Sequence, residues 1–104
     1  MEKAPLTGTA KQVAWAEQIR EKFIEHAGAL MARTPTLSYV SPKVRPRLGE
    51  LIQDITPKFV ANTTSAKTWI DHTDLGTAGG VESFFLARLK RDAMAQALMQ
   101  GPKA

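Results

Sequence analysis

Asp71, His72 and Asp74 fall together in the sequence. Carboxylates beside an imidazole are ordinary ligands of a divalent metal, or the parts of an acid–base pair. No second histidine follows at helical spacing, so the group reads as a solvated helix end entering a turn, with no metal expected. His26 lies near the apolar edge of a long helix, where it could act as a ligand or proton switch, or simply pack at the boundary. Arg20 projects into the apolar arc of the same helix. Its guanidinium could reach a ligand phosphate or a carboxylate, or its stem could lie on the core with the head in water. Arg20 and His26 are therefore the candidate functional polar residues of that helix. Gly76-Thr-Ala-Gly79 has the letters of a nucleotide-clamping G-x-x-G turn, but it lacks positive charge and flanking strands, and reads as a plain turn. The chain has no cysteine, which excludes disulfides, thiolate nucleophiles and cysteine-based metal sites. No Ser/His/acid arrangement stands out, so neither catalytic residues nor a cofactor is expected.

Basic side chains cluster twice, as Lys43, Arg45 and Arg47 and as Arg88, Lys90 and Arg91. Either cluster could track phosphates, or be ordinary surface charge. Glu17, Glu21 and Glu25, spaced by four, share one helix face and repel polyanions. Nucleic acid is accordingly expected at the two basic segments and away from that face. The final helix is apolar on two sides. Val81, Phe85, Leu89, Ala93 and Ala97 make one face; Phe84, Met94 and Leu98 make a second, interrupted by Arg91. Such a helix is either sandwiched in a core or paired with another molecule, so the second face is a candidate interface for a protein partner or a second copy.

These groups need elements to position them. After a lead-in over residues 1–9, Thr9 with Gln12 makes a capping box and starts a helix of about six turns. Its apolar arc runs Val13, Ala16, Ile19, Phe23, Ile24, Ala27, Leu30 and Met31, with Trp15 at the edge. Thr34-Pro35 ends it. Residues 34–45 read as a Pro-rich extended connection with Leu37, Tyr39 and Val40 on the core, and Leu37–Val40 is the one strand candidate. Pro46 opens a second helix and Pro57 closes it, with Leu48, Leu51, Ile52 and Ile55 as its stripe. A short third helix follows the Thr63-Thr64-Ser65 caps to Asp71, with Ala66, Trp69 and Ile70 inward. A turn over residues 75–80 leads to a fourth helix, Val81 to Gln100, and a tail over residues 101–104.

The 104 residues suit a single domain with a modest core, and 43% hydrophobic with 23% charged residues argues against wholesale disorder. A net charge of +4 permits a polyanionic partner without demanding one. The opening residues lack a basic region followed by an apolar run, and no stretch approaches membrane-spanning length, so the expectation is cytoplasmic, without secretory signal or membrane partner.

Leu6, Thr7, Gly8, Thr9, Lys11, Gln12, Trp15, Ala16, Glu17, Ile19 and Arg20 resemble a module found in small uncharacterised bacterial and phage proteins, Leu-Thr-Gly-Ser/Thr-x-Lys-Gln-x-x-Trp-Ala-Glu-x-Ile-Arg. Ser65-Ala-Lys-Thr-Trp69-Ile-Asp71 is similar to a second block that accompanies it. The resemblance implies a phage or mobile-element origin and a packing of Trp15 near Trp69; it carries no catalytic residue over. Taken together, the residues point to a single all-α domain of about four helices. They point to a small non-enzymatic binding protein, nucleic-acid-associated through its basic segments. The alternative is a protein-binding adaptor or inhibitor, for example of a host defence complex, acting through the fourth helix.

Overall fold

Thr9 ends the extended lead-in and begins α1 (Ala10–Arg33) in the computed structural model, which describes residues 1–100, with side chains described through Ala93. The Thr9 hydroxyl accepts from the Gln12 N–H at 3.2 Å, and the Gln12 side chain accepts from the Thr9 N–H at 3.0 Å. Two orphan donors of the first turn are thereby satisfied, as the capping box predicts. At the other end the Thr34 hydroxyl donates to the Met31 carbonyl at 2.8 Å, and a short 3-10 turn (Thr34–Thr36) follows. The remaining helices are α2 (Arg45–Asn62), α3 (Ala66–Asp71) and α4 (Ala78–Gln100), with a second 3-10 turn (Thr73–Gly76) between α3 and α4. The fold is all-α. Among the described residues the only bridge of sheet type is an isolated parallel pair, Thr7 with Ser65.

Two helix boundaries differ from the sequence reading. α2 does not stop at Pro57 but runs to Asn62. A proline inside a helix loses one N–H bond and crowds the preceding turn. Here Phe59 and Val60, one turn further on, are packed into the core and hold the helix through the defect. α4 starts at Ala78, three residues before Val81, because the Thr77 hydroxyl accepts from the Gly80 N–H at 3.0 Å and caps it. Gly80 is required for space: a Cβ there would fall 1.9 Å from the Asp74 carbonyl oxygen.

One core joins the four helices. Phe23 of α1 stands at its centre, with ring centroids of Phe59, Trp69, Phe84 and Phe85 all 5.3 to 6.0 Å away. Phe59 is in turn 5.2 Å from Trp69 and 5.3 Å from Phe84. Ala16, Ile19, Leu30, Leu48, Ile52 and Val81 extend the cluster with aliphatic side chains. This packing corrects two sequence expectations and decides a third. Trp15 is 51% exposed, and the ring partners of Trp69 are Phe23 and Phe59. Tyr39 is 56% exposed, while Leu37 and Val40 on either side of it are buried as expected; the segment forms turns and no strand. Phe84, on the second apolar face that the sequence left either sandwiched in the core or open to a partner, places its ring within the aromatic cluster. Met94 and Leu98, the rest of that face, lie outside the described side chains, as does the tail over residues 101–104.

The lead-in is tied down rather than loose. Thr7 donates its N–H to Thr64 O at 2.8 Å and accepts from the Ala66 N–H at 3.0 Å. Gly8, at φ 149°, makes the turn from this pairing into α1, and a Cβ on it would press on Ala66 Cβ at 3.2 Å. The two blocks noted in the sequence, around Leu6–Arg20 and Ser65–Asp71, therefore touch along their backbones.

Candidate nucleic-acid interface

The two basic segments, more than forty residues apart in sequence, meet in the fold. Arg47 in the first turn of α2 donates from Nε to Asp92 Oδ2 at 2.9 Å and from Nη2 to Asp92 Oδ1 at 2.8 Å. This two-pronged pair fastens the start of α2 to α4. Arg47 Nη1 also reaches Glu50 at 3.1 Å. Hydrogen bonds from Arg47 hold the Asp92 carboxyl below its usual pKa, and the same bonds, from Asp92 first and Glu50 second, raise that of Arg47. Arg88 lies one turn before Asp92 on α4. Its guanidinium carbon stands 3.6 Å from the Phe84 ring centroid, and Nη1 donates to Phe84 O at 3.4 Å. Burial, and after it the charge of Arg91 three residues further along α4, lowers the Arg88 pKa.

Arg45 has a different task. Its Nε donates to the carbonyls of Leu37 and Val40 at 2.9 and 3.0 Å, and Nη1 donates to Pro35 at 3.2 Å. One guanidinium thus gathers the connection between α1 and α2 onto the start of α2. Of the six basic residues singled out in the sequence, Arg45, Arg47 and Arg88 are engaged within the molecule, and Lys43, Lys90 and Arg91 are exposed. Arg33, at the end of α1, joins them as an exposed cation that the sequence reading missed. The signal was there: no acidic residue occurs between Glu25 and Glu50. The stretches 26–49 and 88–91, joined through Arg47 and Asp92, together hold seven basic side chains (Arg33, Lys43, Arg45, Arg47, Arg88, Lys90, Arg91) and no carboxylate, with Glu50 and Asp92 immediately beyond them. Apart from these residues, the chain has seven basic against eight acidic side chains.

The other candidates are brought to no common site. Arg20 is buried, with Nη1 donating to Ala4 O at 2.7 Å. It pins the lead-in, as does an ion pair between Lys3 and Glu21, and no carboxylate pairs with it among the described residues. Its Nε is buried without a partner. His26 is half-buried, in the span of α1 between the lead-in contacts and the basic end. Asp71, His72 and Asp74 are exposed, Asp71 lying 3.5 Å from Lys67. Among the described residues no three metal-ligating side chains converge. A shallow cleft of about 310 Å³ between α1 and α2 is lined by Met1, Ile24, Met31 and Pro57 among others, and among the described residues no ionisable side chain lines it. Trp15 lines another depression with Gln18, Lys22 and Thr73. No helix among the described residues is long and apolar enough to cross a membrane. Compared with known proteins, the chain matches no protein-family model, no curated protein and no solved structure.

Proposed function

We propose that this is a small non-enzymatic binding protein that contacts nucleic-acid phosphates with the basic end formed by α2, α4 and the connection before α2. The observation that supports this reading is the Arg47–Asp92 pair, which unites two basic segments distant in sequence. A polyanion approaching this end meets an excess of positive charge, whereas Glu17, Glu21 and Glu25 line a separate exposed face of α1. Lys43, Lys90, Arg91 and Arg33 are the side chains to contact phosphate. Arg45 and Arg47 shape the surface, because their donors are already committed to carbonyls and carboxylates.

Fluorescence anisotropy with labelled oligonucleotides tests it. The plot of log affinity against log salt is expected to have a slope of about −3, as for roughly four phosphates neutralised. Lys43→Gln and Arg91→Gln should each weaken binding and flatten that slope by about one unit, with the fold intact by circular dichroism. Absence of binding at low salt would end the reading and turn attention to a protein partner at α4.

A further inference from the structure

We propose that the basic end holds a single strand of nucleic acid, with Tyr39 as the platform on which one base stacks. This rests on the nucleic-acid reading above and adds to it the form of the ligand and the residue that selects it.

The aromatic residues of the chain divide sharply. Phe23, Phe59, Trp69, Phe84 and Phe85 share one cluster, leaving Trp15 and Tyr39 exposed. Trp15 lines its own depression beside Gln18 and Lys22, in the half of α1 that bears the acidic ladder. Tyr39 is the aromatic of the basic end. Leu37 and Val40 anchor the chain on both sides of it in the core, so the ring stands outward between two buried neighbours. Arg45 clamps the carbonyls of Leu37 and Val40 from one nitrogen, and Pro35, Pro42 and Pro46 restrict the backbone around them. A ring presented on so constrained a segment loses little freedom when a partner packs against it. Lys43 lies four residues beyond Tyr39 and Arg33 six residues before it, both exposed, as are the neighbouring Ser38 and Ser41.

A cationic surface with one outward ring suits a strand whose bases are unstacked. In a duplex the base faces are already covered by their neighbours, and a side chain on a short turn meets phosphates alone. In a single strand each base offers a free face to an aromatic ring while the backbone lies along the cations. Stacking of this kind tolerates any base, so strandedness rather than sequence is what Tyr39 discriminates.

The test compares short oligothymidylate, oligouridylate and a duplex of equal length, using the full chain at low salt. Wild-type protein is expected to bind at least one single strand more tightly than the duplex, and the two oligonucleotide arms tell DNA from RNA. Tyr39→Ala should lose about tenfold on that single strand, with duplex affinity and urea midpoint unchanged, and Tyr39→Phe should retain wild-type binding. Equal affinity for single strand and duplex overturns the inference. So does a neutral Tyr39→Ala alongside a weakened Lys43→Gln; in both cases phosphate binding itself stands. Failure of all three probes to bind removes the nucleic-acid reading and this inference with it.

Discussion

Arginine at five positions does five different things in this chain, and only the partners distinguish them. Arg20 is buried against the Ala4 carbonyl, Arg45 gathers three loop carbonyls, and Arg47 grips Asp92. Arg88 lies on the Phe84 ring, and Arg91 remains in solvent. A guanidinium has several donors in a rigid fork, so it can organise backbone or meet an anion equally well. Which it does depends on what the fold places opposite it. Glycine at position 80 is a simpler case. A Cβ would lie 1.9 Å from the backbone oxygen of Asp74, which has no free end to swing aside. Gly80→Ala is expected to destabilise the domain by about 3 kcal/mol or more, read from the urea midpoint. A change below about 1 kcal/mol would mean that the turn before α4 yields easily. The sequence showed a glycine pair at a turn there, but not which of the two was needed, since that depends on a carbonyl six residues away.

At the level of elements, α1 was fully legible because its start is local chemistry. Thr9 and Gln12 satisfy each other across one turn, and no distant residue is needed. The end of α2 was not legible, because it is set by the packing of Phe59 on rings of α1, α3 and α4 and by the burial of Val60. Proline inside that helix still has a cost. Pro57 cannot return an N–H to the Gln53 carbonyl, and its ring is exposed, so little packing compensates. Pro57→Ala is therefore expected to stabilise the protein by about 1–3 kcal/mol in equilibrium unfolding. Unchanged or reduced stability would show that the proline supports α2 in some other way. The connection over residues 34–44 was legible as proline-rich but not as an ordered unit. Its order comes from Arg45, which follows it in sequence and folds back over it.

For the molecule as a whole, the Arg47–Asp92 pair joins the basic segments and ties stability to pH. The Asp92 carboxyl has a depressed pKa in the fold, so the folded chain takes up its proton less readily than the unfolded chain. The pair's contribution is complete above the ordinary carboxylate value of about 3.9 and is lost as pH falls through the lower folded value. Urea midpoints taken from about pH 6 down to about pH 2 should fall less steeply for Asp92→Asn than for wild type. Parallel curves would place the acid sensitivity elsewhere. Residue order alone determines that this chain is helical, where α1 begins, which faces are apolar, and that positive charge comes in two runs. Those properties are carried by side chains within a few turns of one another. Tertiary structure alone decides that the runs are joined through Arg47 and Asp92, that five rings form one centre, and that Trp15 and Tyr39 are left outside it. Each of these outcomes depends on contacts between segments far apart in the chain, and helical periodicity does not encode which face meets which.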